Sequence, residues 1–379
     1  MPIVVRPYEA ADEGYWEVRS LTYGNGRMTP PEERVVRLAR PFVADVHGSI
    51  QGTYVVLDMT CSCRGALLPC GGVAGVAVHP AERGSGVGSA MMRQAIRDMR
   101  EQNIPIASLY PFREWYYRKF GYEVCGKRLE ITCPAHRMPH VDSDLPMRCI
   151  RSSQYAEIDA CHRAFVMARS GGTVRDEGLW TRIVSERNVI YAAGEPCEGY
   201  AIVQHAWEFF EAQTVQEIGW STLRGYRAIL GLMHRLSINK TSVTWHEPSD
   251  SPFVAAYLDQ GVRVESRRPV MYRVTDVPAA LALVKTEATG AFTFSVADDL
   301  IPENRGPWLA SYSPTGVTLS KAATADLEFT VQTFTQALLG DPSLRDLVRN
   351  GLVEPRSEAA LKAAEALLPA CPVLCLDPF

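Results

Sequence analysis

The sequence lacks three features that would assign a chain to a class at first sight. It has no run of about eighteen apolar residues, so we expect no membrane-spanning helix. It has no basic excess, because 39 Lys and Arg face 43 Asp and Glu for a net charge of −4, and no nucleic-acid partner is expected. The opening Met-Pro-Ile-Val-Val-Arg-Pro-Tyr is too short an apolar stretch for a secretory signal. We therefore expect a soluble cytoplasmic protein of two or three domains with no membrane partner, whose mild acidity is compatible with cationic substrates.

The ten cysteines do not have the spacing of a metal site. Cys61, Cys63 and Cys70 cluster, but Cys-x-Cys is not the spacing of a zinc knuckle, and the other seven are scattered through predicted strands and helices. We interpret them as buried, reduced thiols and expect no metal. The segment 59–72 that carries the cluster is predicted to be a loop.

The most informative stretch runs from Val73 to Arg100. The β-branched run Val73 to Val78 predicts a buried strand, which Pro80 ends because it removes a backbone donor. Glycines then follow as Arg-x-x-Gly-x-Gly, and apolar residues recur at helical spacing, namely Val87, Ala90, Met91, Ala95, Ile96 and Met99. Glycines let the backbone approach a ligand, and the free N–H groups of a helix start favour an anion. The pattern predicts a phosphate cradle. It is not a P-loop, because no Gly-Lys-Ser/Thr follows, and a Rossmann fingerprint would need an acidic residue at the end of a second strand about twenty residues on.

A second stretch about thirty residues later, Tyr116-Tyr117-Arg118-Lys119-Phe120-Gly121-Tyr122, complements the first. Together they resemble the acetyl-CoA-binding core of the GNAT superfamily of N-acetyltransferases. This resemblance implies acetyl-CoA as co-substrate and Tyr117 as the general acid, with Tyr116 ranked second. It implies that the backbone at Val76, Ala77 and Val78 holds the pantetheine arm. It also implies a pyrophosphate site, with charge from Arg83 or Arg93, at Arg83, Gly84, Ser85, Gly86, Val87, Gly88 and Ser89.

The order of predicted elements indicates two similar α/β units. The first contains strands at 73–78, 104–109, 122–124 and 128–132 with helices on both faces of a mixed sheet. From about Pro134 the pattern begins again, and strands at 241–245 and 270–274 are expected to complete the second sheet. Its strand-to-helix junction, Gly219 to Gly225, has no Arg-x-x-Gly-x-Gly, so this copy is predicted to have lost the cradle. A domain that is not a repeat is the alternative.

The last hundred residues change character, with helices expected at 330–338, 344–351 and 357–367 and a proline-interrupted apolar tail. The full-length order resembles the Eis (enhanced intracellular survival) family of aminoglycoside acetyltransferases, whose third domain is of the sterol-carrier type. In that domain the likeness rests on the segments 272–277 and 303–308 and on the terminal Phe. The expected fold class is α/β and α+β, with tandem GNAT-like mixed-sheet domains at 1–134 and 135–272 and a sterol-carrier-protein-like α+β domain at 273–379.

The Eis resemblance also implies an activity. It implies acetyl transfer to amines of aminoglycosides, polyamines or lysine side chains, a role in antibiotic resistance, and a homo-oligomer, possibly a hexamer. The α-carboxylate of Phe379 would be the base, and Asp377, Glu32 and Glu33 are further candidates for binding a cation. Two alternatives stay open: a longer-chain acyltransferase, since N-myristoyltransferases share the layout, and a non-catalytic lipid-binding or regulatory protein.

Overall fold

The computed structural model describes residues 3–24, 39–185, 187–206, 208–267 and 270–377. Within these ranges the strands are β1 (Ile3–Pro7), β2 (Ala39–Val46), β3 (Ser49–Cys63), β4 (Ala66–Val78), β5 (Ile106–Leu109), β6 (Glu123–Val124), β7 (Arg128–Pro134), β8 (Met147–Ile150), β9 (Val189–Ala193), β10 (Gly199–Val203), β11 (Gln213–Trp220), β12 (Ser242–Pro248), β13 (Arg263–Arg267), β14 (Met271–Val274), β15 (Gly290–Ala297), β16 (Trp308–Ser313), β17 (Gly316–Lys321) and β18 (Leu327–Thr330). The helices are α1 (Gly14–Tyr23), α2 (Val87–Glu101), α3 (Glu114–Arg118), α4 (Ala156–Met167), α5 (Glu177–Ile183), α6 (Leu223–Ser237), α7 (Pro252–Ala256), α8 (Val277–Ala282), α9 (Val331–Leu339), α10 (Leu344–Arg349) and α11 (Glu358–Leu367). No helix in these ranges is long and apolar enough to cross a lipid bilayer.

The first sheet has the strand order β1-β2-β3-β4-β5-β14-β6 and carries α2 on one face. The apolar side of α2 is buried as its periodicity predicts, at Val87, Met91, Met92, Ala95, Ile96 and Met99. The helix packs closely on the sheet, since a Cβ at Gly52 would lie 2.8 Å from Met91 Sδ. The sheet is mixed, with β4 and β5 parallel and its other pairs antiparallel, as the predicted α/β class requires.

The two acetyltransferase-like units exchange strands, which the sequence analysis did not predict. The strand at 128–132, expected in the first sheet, is β7 and lies in the second, between β13 and β12. The strand at 270–274, expected in the second sheet, is β14 and lies between β5 and β6 of the first. Both assignments were wrong, because an apolar strand pattern specifies burial and not which sheet buries it. Division of the chain at residues 134 and 272 stays a prediction.

The cysteine-rich segment 59–72 is not a loop. It forms the ends of β3 and β4, which pair from Gly52 opposite Val78 to Cys63 opposite Ala66 and turn at Arg64 and Gly65. Cys61, Cys63 and Cys70 are free and buried in a core shared with the third domain. Pro69 is accommodated opposite Thr60, so a proline in the segment did not exclude a strand.

The third domain is a four-stranded sheet, β17-β16-β15-β18, covered by α9 to α11. Aromatic rings fill the space between sheet and helix, with Phe294 stacked on Phe334 at 5.6 Å and Phe329 edge-on to Phe334 at 5.8 Å. The helices start at side-chain caps, since Thr330 Oγ1 accepts from Thr333 N, and Ser343 Oγ from Asp346 N. The three helices predicted in this region are therefore confirmed.

Candidate active site

Strand β4 continues beyond its pairing with β5, and we call the space beside its unpaired end the cleft. The two strands pair only from Cys70 to Gly72, whereas β4 extends to Val78. A bulge at Gly75, which has φ +57°, shifts the register of β4 against β3. In the described part of the chain, no strand pairs with the β5 side of residues 76–78. The segment predicted to hold pantetheine, Val76, Ala77 and Val78, therefore forms one wall of this cleft.

Two side chains of α1 bind the carbonyl groups at the bulge. Tyr23 Oη donates to Val76 O at 2.7 Å, and Arg19 Nη1 donates to Gly75 O at 3.3 Å. The Arg19 guanidinium also lies 5.8 Å from the centre of the Tyr23 ring. These residues were not predicted from the sequence because each contact joins positions more than fifty residues apart, and no local pattern signals it.

Residues 83–86 form an exposed turn that leads into α2. Gly84 has φ +94° and Gly86 has φ +99°, which is a left-handed conformation that favours glycine. The first bond of the helix runs from Ala90 N to Gly86 O at 3.0 Å, and among the described residues the N–H groups of 87–89 have no backbone acceptor. Three free donors at the positive end of a fifteen-residue helix fit a pyrophosphate.

The two arginines predicted to bind the pyrophosphate occupy different positions. Arg83 is exposed on the turn itself. The Arg93 guanidinium lies 5.9 Å from the centre of the Phe120 ring, on the helix face that meets the tyrosine motif. Ser85 Oγ donates to Glu82 O at 2.7 Å and closes the turn. Arg83 is therefore the cation that the turn presents.

Tyr117 lies on α3, is 3% exposed and is surrounded by aromatic rings. The ring centres of Phe112, Tyr116 and Tyr122 are 5.5, 5.1 and 6.3 Å from its own. Burial raises the pKa of Tyr117 above that of an ordinary phenol, with smaller contributions from Tyr23 and Tyr116. Its hydroxyl stays protonated at neutral pH, as a proton donor must.

The glycine turn and the tyrosine motif are in direct contact. A Cβ at Gly88 would lie 2.5 Å from Tyr116 Oη and 3.5 Å from Val78 Cγ2. Burial raises the pKa of Tyr116, and its hydrogen bond with Ser89 opposes this. The third member of Arg-x-x-Gly-x-Gly is therefore small because the Tyr116 hydroxyl needs the space.

A buried arginine from the exchanged strand supports the tyrosine motif. Arg273 on β14 is fully buried, and its Nε donates to Phe120 O at 2.7 Å. Its Nη2 donates to Asp298 of the third domain at 2.7 Å. The segment around Arg273 was predicted to be a sterol-carrier-type element, whereas this side chain lies under the turn that follows Tyr117.

A tail segment, residues 371–377, runs to the mouth of the same cleft. Ser170 N donates to Pro372 O at 2.9 Å, and Leu374 N donates to Ser170 O at 3.0 Å. At its far end, Tyr110 Oη donates to Asp377 O at 2.9 Å. Tyr110 directly follows β5, so the tail segment ends beside the strand that forms the second wall.

The prediction that Asp377 binds a substrate cation is wrong. Asp377 is 2% exposed, and its Oδ1 already accepts from Arg175 Nε at 2.6 Å. A carboxylate buried against an internal guanidinium has no free face for a ligand. Three other predictions concern residues outside the described ranges, namely Glu32, Glu33 and Phe379.

The corresponding junction of the second unit is closed. A Cβ at Gly225, in the first turn of α6, would lie 2.0 Å from Glu198 O. The Glu198 carboxylate accepts from Thr222 Oγ1 at 2.7 Å and pairs with Arg224. This helix start packs against the chain's own hairpin at Gly225, whose N–H donates to Thr222 Oγ1 at 3.0 Å and is not free for a phosphate.

Family models match three segments of the chain. A model described as "Acetyltransferase (GNAT) domain" matches residues 12–125, and a second with the same description matches residues 171–274. A "Sterol carrier protein domain" matches residues 277–376. The first match contains the cleft, the glycine turn and Tyr117, and the second contains the closed junction. The chain therefore contains two GNAT acetyltransferase domains followed by a sterol carrier protein domain.

Curated relatives and solved structures agree with this assignment. An uncharacterized N-acetyltransferase of Streptomyces coelicolor is 26% identical over 331 residues, 79% of this chain and 78% of that one. N-acetyltransferase Eis of Mycobacterium tuberculosis is 23% identical over 253 residues, 61% of this chain and 62% of that one. A GCN5-related N-acetyltransferase from Anabaena variabilis superposes with a TM-score of 0.88 at 19% identity, covering 99% of this chain and 100% of that one. Eis1 from Mycobacterium abscessus superposes with a TM-score of 0.82 at 21% identity and covers both chains fully. The predicted fold class of this GNAT enzyme is confirmed.

Proposed function

We propose that this enzyme transfers the acetyl group of acetyl-CoA to an amine of a small cationic substrate, with Tyr117 as general acid. One observation carries the proposal. An open helix start and a buried, protonated tyrosine lie in one domain, and the motifs that carry them touch through Gly88 and Tyr116. The acceptor is proposed to be an aminoglycoside, a polyamine or a lysine side chain, on the likeness to Eis and the acidic balance of the chain.

Acetyl-CoA would bind along one side of the cleft. The pyrophosphate would be held by the turn and the first turn of α2, that is by Arg83, Gly84, Ser85, Gly86, Val87, Gly88 and Ser89. The pantetheine arm would lie along Val76, Ala77 and Val78. The Val76 carbonyl already accepts a 2.7 Å hydrogen bond from Tyr23 Oη, and its second lone pair can accept one from a pantetheine amide.

The reaction needs two proton movements in opposite directions. The amine loses a proton and its nitrogen forms a bond to the acetyl carbon, while the carbon–sulfur bond breaks and the CoA sulfur takes the proton of the Tyr117 hydroxyl. Burial keeps the Tyr117 proton in place at neutral pH, and because it also makes a thiolate that develops beside the phenol more basic, that thiolate can take the proton.

For the amine proton, we propose the α-carboxylate of Phe379 as acceptor, directly or through water. Asp377 is unavailable because Arg175 engages it. The carbonyl of Asp377 is held at the mouth of the cleft, and two further residues reach at most about 7 Å. A terminal carboxylate ordinarily has a pKa of about 3.5 and is a weak base, so its second role is to hold the cationic amine in place. The hexamer and the role in antibiotic resistance stay predictions from the family likeness.

The test is Tyr117→Phe with Tyr122→Phe as matched control. The Tyr122 ring lies 6.3 Å from that of Tyr117, and its hydroxyl is buried with no partner among the described residues, so removing it should leave kcat unchanged. Tyr117→Phe should lower kcat by about 10²- to 10⁴-fold and leave acetyl-CoA affinity within about twofold. Equal kcat values for the two variants would overturn the role of Tyr117. Comparing acetyl-CoA with longer acyl-CoA thioesters in this assay decides the acyltransferase alternative.

A further inference from the structure

The second acetyltransferase domain lacks the Arg-x-x-Gly-x-Gly motif at its strand-to-helix junction, yet it supplies a fully buried cation that holds the tail segment. The Arg175 side chain is 0% exposed. Its Nη1 and Nη2 donate to the two oxygens of Glu217 on β11 at 2.9 and 2.5 Å, and its Nε donates to Asp377 at 2.6 Å. One guanidinium therefore joins the sheet of the second domain to the end of the tail segment.

Arg175 is held rigidly from the side of the second domain. Tyr200 Oη donates to Glu217 Oε1 at 2.6 Å, and the Trp180 ring lies 4.5 Å from the Arg175 guanidinium. Burial lowers the pKa of Arg175, but the Glu217 and Asp377 carboxylates outweigh it and leave the pKa above that of free arginine. A bidentate pair with both partners buried fixes the direction of the remaining Nε–H, which is the donor to Asp377.

The cysteine-rich hairpin completes the support of the tail segment. Ser62 N donates to Gly172 O and Gly171 N donates to Ser62 O, each at 2.8 Å. Ser170, just before these two glycines, forms backbone hydrogen bonds with the tail segment. The hairpin of the first domain, residues 170–174 of the second and the tail segment thus form one backbone ladder, which leads directly to Arg175.

The far end of this ladder meets the acetyl-transfer site. Tyr110 donates to the carbonyl of Asp377 and is two residues before Phe112. The Phe112 ring lies 5.5 Å from that of Tyr117. Asp377 is therefore fixed at its side chain by the second domain and at its backbone by the loop that leads to the general acid.

We infer that Arg175 is a positioning residue, which orients the acceptor side of the acetyl-transfer site by fixing the tail segment through Asp377. On this view the second domain contributes to catalysis at the site of the first. The inference rests on the proposed function, since it assigns the tail segment to the amine side of that same site. It concerns the amine and not acetyl-CoA, whose proposed contacts lie on β4 and α2.

The test compares Asp377→Ala with Asp377→Asn in the full chain. Asp377→Ala removes the anchor and leaves Arg175 paired with Glu217, whereas the Asn amide oxygen can still accept from Nε. Asp377→Ala should lower kcat/KM for the amine by about tenfold to hundredfold and leave KM for acetyl-CoA within about twofold. Asp377→Asn should restore most of the loss, and carboxypeptidase should release residues from Asp377→Ala faster than from the wild type.

Two further variants separate positioning from folding and from proton transfer. Arg175→Lys keeps the charge but cannot span three acceptor atoms, so it should also lower kcat/KM for the amine. An unchanged value would show that the anchor is not needed, and a higher value would make Asp377 itself the base. Either result would overturn the inference. Asp250→Ala breaks a different arginine pair in the same domain, with Arg169, and should change stability without affecting amine kinetics. If Asp377→Ala releases its terminal residues faster but keeps wild-type amine kinetics, the inference is also overturned. Absence of turnover in the wild type would instead refute the proposed function.

Discussion

The contact between Gly88 and Tyr116 gives a prediction whose magnitude follows from the structure. Gly88→Ala places a methyl carbon 2.5 Å from Tyr116 Oη, about 1 Å closer than an ordinary contact. Overpacking of this kind costs about 1–3 kcal/mol, whereas alanine in a helix gains about 1 kcal/mol over glycine. We expect Gly88→Ala alone to lower the free energy of unfolding by about 0–2 kcal/mol.

Tyr116→Phe should reverse the sign. Without the hydroxyl, the nearest ring atom to the new methyl is the carbon that carried it, at 3.6 Å, which is an ordinary contact. In the Tyr116→Phe background, Gly88→Ala should therefore raise the free energy of unfolding by about 1 kcal/mol through helix propensity alone. Urea denaturation of the four proteins measures a coupling energy, expected at about 1–3 kcal/mol. Additive effects, within about 0.5 kcal/mol, would refute the contact between the two motifs.

Three further predictions concern the turn, the general acid and the thiols. Gly86→Ala puts a Cβ on a residue with φ +99° and should lower the stability by about 1–2 kcal/mol. It should also weaken CoA binding, measured by calorimetry. An unchanged CoA affinity would contradict the phosphate cradle. Because burial raises the pKa of Tyr117, kcat should not decline with rising pH below a pH of about 10. A decline below that pH that Tyr117→Phe abolishes would contradict the raised pKa. Burial raises the pKa of Cys63 to about 11 and of Cys375 to about 12. A thiol reagent at pH 8 should therefore label exposed Cys149 first and the two buried thiols only on unfolding. Equal labelling rates for the three cysteines would be inconsistent with the fold.

The part of the site that the sequence predicted is local. Arg83, Gly86 and Gly88 sit on one strand–turn–helix unit of about thirty residues, and Tyr117 lies on the next helix, so spacing alone identifies them. The backbone conformation at the glycines follows from their lack of a Cβ, which does not depend on distant residues.

The part that the sequence did not predict depends on contacts between distant positions. Arg175 and Asp377 are 202 residues apart, and Arg273 and Phe120 are 153 apart. Exchange of β7 and β14 between the sheets has the same origin, because each strand would satisfy either sheet by its apolar pattern. The cysteine-rich segment 59–72 was predicted to be a loop, but it consists of two paired strand ends joined by a tight turn at Arg64 and Gly65.

The central claim is acetyl transfer at the cleft between β4 and β5, and CoA release measures it most directly. The purified chain is incubated with acetyl-CoA and a panel of aminoglycosides, polyamines and lysine peptides, and thiol formation is followed beside Tyr117→Phe and Tyr122→Phe. We predict amine-dependent CoA release with at least one cationic acceptor, lost in Tyr117→Phe and retained in Tyr122→Phe. Measurable CoA binding without turnover on any amine would contradict the account.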